Sequence, residues 1–325
     1  MTTTTHDLAI SAQDLRCAYG DFEAVRGIDL SVRTGEVFAL LGTNGAGKTT
    51  TMETLEGHRR ADGGSVRLLG HDPHRERSAV RPRVGIMLQE SGFAGELTVA
   101  ETVRMWLALS SAPPARKDRR EATLAAALER VHLDDRADTR VVQLSGGQKR
   151  RLDLVLATVN EPEVVFLDEP TTGLDPESRQ NTWDLIAGLR DTGATIVLTT
   201  HYLEEAERLA DRIAIMHAGR IAVEGTLAEL IDDRPTRISF RRPADVTGVE
   251  VDRALRTILA PRHLELDARE MLHVDVDDAQ QSLVRLLGWA QDQHHRLERL
   301  TVNQASLSDV FAQIAADHTL QEDPA

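Results

Sequence analysis

The stretch GTNGAGKTT, Gly42 to Thr50, sets glycines, a lysine and hydroxyl side chains in the spacing G-x-x-x-x-G-K-[ST]. Gly42, Gly45 and Gly47 let backbone N–H groups close around phosphate oxygens, with Thr43, Asn44 and Ala46 filling out the loop. A helix beginning near Lys48 adds the positive end of its dipole. Lys48 has the reach for the β- and γ-phosphates of a nucleotide, and the Thr49 hydroxyl, next to Thr50, can ligate Mg²⁺. A second stretch, EVVFLDEP, ends an apolar run in Asp168 and Glu169. Asp168 suits holding Mg²⁺, directly or through water, and Glu169 suits orienting or deprotonating an attacking water. Alone, an acidic pair after a strand is a solvated strand end; behind the phosphate loop, the chemical reading prevails.

These residues need a scaffold that brings strand ends together. EVFALLG and EVVFLDEP read as short buried strands, TWDLIAGLR and LEEAERLA as helices, and TIVLTTH as a further strand. Continuous apolar strands between amphipathic helices predict a parallel sheet covered on both faces. From Leu8 to Leu41 the pattern predicts strands; from about Thr98 to Asn160 it predicts mostly helix, with SSAPPARKD as a loop and Leu124, Leu128 and Val131 on one face. Beyond about Pro235 the order βαββαβ predicts a ferredoxin-like plait, followed by a helix with a capping-box-like start at Ser306 and Asp309. The expected organisation is a disordered terminus at 1–7, an α/β domain at 8–234 with a helical subdomain at about 98–160, an α+β accessory domain at 235–318 and a frayed tail at 319–325.

Composition narrows the function classes. The chain has 325 residues, 41% hydrophobic and 28% charged, enough for more than one core. A formal net charge of −14 argues against a general nucleic-acid partner. The single cysteine, Cys17, permits no internal disulfide and fits a reducing compartment. The N-terminus lacks the basic start and apolar run of a signal peptide, and no apolar run approaches the roughly 20 residues needed to cross a bilayer. Work at a membrane would require another chain to span it. His71 and His74 supply only two candidate metal donors and read as a solvated loop.

QLSGGQKRRLDLVLA, Gln143 to Ala157, reads as a helix starting at Ser145 with Gly146 and Gly147 in its first turn. Glycine there costs about 1 kcal/mol relative to alanine, yet Leu152, Val155, Leu156 and Val159 keep one apolar face. Lys149 to Arg151 reads as a helix face rather than a nucleic-acid site.

The phosphate loop, LSGGQ and LDEP, in that order, resemble the motifs of an ATP-binding-cassette (ABC) ATPase over about Leu8 to Leu230. The resemblance implies a P-loop cassette, a mixed-sheet core with a helical subdomain, acting on ATP with Mg²⁺. It implies that two copies pair head to tail, so that Ser145, Gly146, Gly147 and Gln148 of one cap the γ-phosphate held by the other. Bare glycines then let a phosphate approach the helix start. Tyr19 resembles the aromatic that stacks on adenine, against the alternative of an ordinary surface aromatic. Gln89 resembles the glutamine that contacts the metal region, Asp175 the aspartate at the dimer seam, and His201 the switch histidine touching the γ-phosphate. Thr43 stands where many members carry proline, with little expected loss because that position presents mainly backbone. Glu169 and His201 are both present, implying an active cassette.

A single cassette without a long coiled-coil insertion favours transport over soluble translation or DNA-repair roles. The wording of LTTHYLEEAERLADRIAIMHAGRIAVEGT and SLSDVF resembles the daunorubicin-resistance type of drug-export ATPases. That resemblance implies a peripheral subunit at the cytoplasmic face of the cell membrane, working with an integral membrane permease and no nucleic acid. An importer subunit is the alternative, and a soluble ABC ATPase a more distant one.

Overall fold

The structure is a computed structural model that describes residues 8–89, 92–109, 117–232 and 234–319. The expected terminus at 1–7, most of the SSAPPARKD loop and the tail from 320 lie outside the described residues. The chain divides between Leu227 and Ala228 into two compact units.

In the first unit, β1 (Leu8–Tyr19), β2 (Phe22–Arg33) and β4 (Gly63–Leu68) make an antiparallel sheet in the order β2-β1-β4. The larger sheet takes β3 (Val37–Gly42), β5 (Val84–Met87), β6 (Val164–Asp168), β7 (Thr195–Thr199), β8 (Arg212–His217) and β9 (Arg220–Gly225) in the order β5-β6-β7-β3-β8-β9. Its strands run parallel from β5 to β8, and only β9 is antiparallel. Every residue of β3, β6 and β7 is buried. That is what unbroken apolar strands require: neighbours on both edges and cover on both faces. Phe38 and Phe166 are fully buried, and each such side chain contributes about 1.5–3 kcal/mol through burial.

Parallel strands share one carboxyl edge, where open α/β sheets gather their ligands. The residues following β3, β5, β6 and β7 are therefore brought to one rim. The helices Val99–Leu109, Lys117–Arg130 and Gly146–Thr158 form a separate core from Val99, Val103, Leu124, Leu128, Val131, Leu152 and Val155. Leu124, Leu128 and Val131 share that core, as their spacing predicts.

In the second unit, β10 (Thr236–Arg241), β11 (His263–Leu266), β12 (Met271–Val276) and β13 (Glu298–Asn303) form an antiparallel sheet in the order β11-β12-β10-β13. With the helices Gly248–Leu259 and Ala279–Asp292 between strands, this is the order of a ferredoxin-like plait. Ile238, Phe240, Val251, Leu255, Val274 and Leu286 form its core.

Candidate nucleotide site

β3 ends in the Gly42–Thr50 loop, and the helix Lys48–Leu55 follows. Its N-cap is Gly47, at φ 102°, with no side-chain cap and no acid in the first turn. The first-turn N–H groups, which have no intrahelical acceptor, thus also lack a side-chain one. A Cβ on Gly47 would sit 2.4 Å from the Ala24 carbonyl oxygen, so both space and dihedral demand glycine. Lys48 is buried and its Nζ donates to the carbonyls of Gly42 (2.8 Å) and Thr43 (3.2 Å). Burial pushes its ammonium below the usual lysine range, while the charges of Glu169 and Asp168 pull it back up. Asn44, Gly45 and Thr49 are exposed, and Ala46 and Thr50 are buried.

Asp168 closes β6, paired in register with Thr199 of β7, and its Oδ1 accepts the Thr199 hydroxyl. Glu169 adopts φ 47°, an uncommon conformation for a non-glycine residue. Its N–H donates to the Thr199 carbonyl at 3.1 Å. Its carboxylate Oε2 accepts Gln89 Nε2 at 3.1 Å and Thr172 Oγ1 at 3.0 Å, and lies 3.5 Å from His201 Nδ1. Gln89 and His201 thus meet Glu169 at the rim beside Asp168, and the two carboxylates act on Lys48.

Tyr19, at the end of β1, is half exposed. Its hydroxyl is 3.3 Å from Thr50 Oγ1, and the Arg59 guanidinium covers one ring face 4.0 Å from the centroid. The aromatic therefore stands beside the phosphate loop, with one face occupied by a cation.

The remaining sequence candidates are satisfied locally. Ser145 lies outside the helix as its N-cap; the helix proper is Gly146–Thr158, one residue later than expected. Ser145 and Gln148 form a reciprocal capping box, with Gln148 N–H to Ser145 Oγ at 3.2 Å and Ser145 N–H to Gln148 Oε1 at 2.9 Å. A cap thus accounts for the serine and the glutamine. Gly147 also has a reason within the chain, since a Cβ there would meet Ser178 Oγ at 2.8 Å. Gly146 has open space around it. Asp175 is exposed and caps the helix Pro176–Asp191, taking Ser178 N–H at 2.9 Å and Ser178 Oγ at 2.7 Å. These hydrogen bonds hold its carboxyl below the usual range.

Sequence reasoning missed Arg150. It lies on a helix, as expected, but it is buried, and its guanidinium donates to five main-chain carbonyls. Hydrogen bonds made by a charged group are worth about 1.5–3 kcal/mol each, which offsets the desolvation. The signal was present in the spacing: Arg150 precedes Leu154 and Ala157, both buried, by four and seven positions.

Among the described residues there is no cluster of three or more His, Cys, Asp or Glu side chains able to hold a metal. Asp168, Thr49 and Gln89 form a sparse donor set. That suits Mg²⁺, which is commonly held by one or two carboxylates together with substrate phosphates. The residues fit a metal that arrives with a nucleotide.

The chain and its fold are similar to known proteins. A family model described as ABC transporter matches residues 25–172, and one described as ABC transporter domain-containing protein-like, C-terminal domain, matches 236–306. The chain is 37% identical over 321 residues to the daunorubicin resistance ATP-binding protein DrrA3 of Streptomyces coeruleorubidus, covering 96% of this chain and 97% of that protein. It is 37% identical over 310 residues to the Nod factor export ATP-binding protein I of Ralstonia nicotianae, covering 94% and 93%. Among solved structures, cbiO1 of Clostridium perfringens, described as part of the ABC transporter complex cbiONQ, aligns with TM-score 0.64 at 26% identity, over 78% of this chain and 96% of that one. The dimeric cassette MJ0796, bound to ADP and Pi, aligns with TM-score 0.60 at 23% identity, over 67% and 98%, a likeness of fold.

Proposed function

The chain belongs to the ATP-binding subunits of ABC transporters, and on that footing we propose that it is the motor of an exporter for a drug, an antibiotic or another amphipathic compound. It is an ATPase, and no helix among its described residues is long and apolar enough to cross a membrane. The proposed working unit is two copies paired head to tail on a separate integral membrane permease, at the cytoplasmic face of the cell membrane. Export rests on similarity to drug-resistance and Nod factor export subunits along nearly the whole chain, second unit included.

The observation that carries the reading is the convergence on Glu169. One carboxylate oxygen is held by Gln89 and Thr172 and faces His201, one residue from Asp168. In the proposed cycle the triphosphate lies over the uncapped start of Lys48–Leu55. Lys48 exchanges its contacts with the loop carbonyls for phosphate oxygens. Thr49 and Asp168, with Gln89 alongside, would hold Mg²⁺, which when bound neutralises charge on the triphosphate. Glu169 orients the attacking water and takes its proton; His201 contacts the γ-phosphate. Tyr19 offers its open ring face to adenine, a stack worth roughly 1–3 kcal/mol in comparable settings.

The second copy enters through Ser145 and Gly146. The Ser145 oxygen accepts within its cap, which leaves the hydroxyl proton free to donate to a phosphate across the seam. Open space at Gly146 admits that approach. Asp175 caps the neighbouring helix at the proposed seam. Pairing is favoured by ATP only to the extent that the paired state binds it better. Leu88, Met105, Trp106 and Leu109 are exposed apolar residues near Gln89 in sequence or on the adjoining helix, a surface suited to a permease helix.

The test is Glu169→Gln. It should bind ATP and pair while turning over 10²–10⁴-fold more slowly, the usual contribution of a general base. Normal turnover would remove Glu169 from the role.

A further inference from the structure

The geometry points to Arg150 as a positioning residue that fixes Gln89 and Glu169 relative to each other and ties both to the helix start at Ser145–Gly146. The inference rests on the proposed role of Glu169 in hydrolysis.

A guanidinium carries five N–H donors in a planar fork. Arg150 uses each of them on a different carbonyl. Nη1 donates to Leu88 (2.7 Å) and Gln89 (3.1 Å), in the segment after β5. Nη2 donates to Asp168 and Glu169, both at 2.7 Å, and Nε to Pro170 at 2.9 Å, at the end of β6 and just beyond it. Its nearest carboxylate, Asp153, is 3.9 Å away, so main-chain oxygens hold most of the charge.

One side chain thus spans the two segments whose side chains meet in the Gln89–Glu169 hydrogen bond. It also steadies Glu169 at its left-handed φ by taking that residue's own carbonyl. Arg150 sits four residues beyond Gly146, about 6 Å along the helix at 1.5 Å per residue. A shift of the helix start, as when it engages a phosphate on a second copy, moves the fork and with it both loops. Occupancy of the neighbour's phosphate loop is thereby passed to this chain's own Glu169 without a direct contact between the two nucleotides.

Lysine keeps the charge but has three donors on one nitrogen and cannot reproduce the fork. We would measure kcat, KM, equilibrium ATP binding and Tm for the full-length wild type, Arg150→Lys and Glu169→Gln. For Arg150→Lys, kcat should fall about tenfold or more, with KM and ATP affinity within about threefold. Turnover within about twofold of wild type, or parallel losses of turnover and ATP affinity, would overturn the inference. Glu169→Gln serves as the reference. If it stays active, the reading of Glu169 is at fault. If it is silent while Arg150→Lys is normal, only the coupling fails. Should Arg150→Lys not fold, hydrogen exchange on Glu169→Gln with and without ATP decides. Segments 87–89 and 168–169 should gain protection together with 146–158; a change confined to 146–158 would refute the coupling.

Discussion

At the ends of β3 and β6, charged groups are gathered around one another; at the start of Gly146–Thr158, Ser145 and Gln148 already partner each other. Lys48 rests on two loop carbonyls and is pushed down by burial, and Gln89, Thr172 and His201 surround one oxygen of Glu169. Such a rim is poised to exchange its contacts for a ligand's. Ser145, Gln148 and Asp175, by contrast, are explained by ordinary caps, and Gly147 by its closeness to Ser178. Of these residues, Gly146 alone has neither a cap role nor a neighbour that a Cβ would meet. The rim states its chemistry within one copy. The helix start does not, and the role proposed for it needs a second molecule.

The largest effect that separates these regions is expected at the rim. Glu169→Gln should cost 10²–10⁴-fold in turnover while leaving ATP binding intact, read by steady-state hydrolysis beside equilibrium binding. Ser145→Arg should act in the reverse sense. ATP-driven pairing, followed as a change from a 35.8 kDa species to twice that mass in light scattering, should be lost, with nucleotide binding to the monomer retained. Loss of monomer binding would place the helix start in service of its own chain.

A finer division runs between the two glycines. Gly146→Ala should be neutral or stabilising, by up to about 1 kcal/mol from helix propensity, yet weaken pairing. Gly147→Ala should lower Tm, because its Cβ would crowd Ser178. Equal effects on Tm, or unimpaired pairing in Gly146→Ala, would erase the distinction.

The smallest effect concerns support behind the rim. Glu205 is fully buried, its Oε1 accepts Trp183 Nε1 at 2.9 Å, and burial pushes its carboxyl above the usual range. A folded-state pKa above the unfolded one means the contribution is full at low pH and declines as pH rises through the folded value. Glu205→Gln keeps an acceptor for Trp183 and cannot ionise. Its Tm relative to wild type should therefore rise as pH increases above the ordinary carboxyl value of about 4.5. A flat difference would mean Glu205 folds without that penalty.

Much of the scaffold was legible because its signals are local. VFALL and VVFL are continuous apolar runs, so β3 and β6 had to be central strands. The order of elements after Pro235 already implied the β11-β12-β10-β13 arrangement. The spacing of the glycine-rich loop placed Lys48 at the start of the helix Lys48–Leu55. Less legible were features that depend on tertiary partners. Arg150 was hidden by its neighbours Lys149 and Arg151, because a run of basic residues reads as solvated until the carbonyls that receive one of them come from Leu88 and Asp168, dozens of residues or more from each other in sequence.

The pairing itself is tested most directly by a structure of Glu169→Gln with ATP and Mg²⁺. Ser145 Oγ and the Gly146 N–H should lie about 3 Å from the γ-phosphate oxygens of a nucleotide seated on the other copy's phosphate loop. A nucleotide whose γ-phosphate meets only its own chain, with Ser145 open to solvent, would contradict the shared pocket.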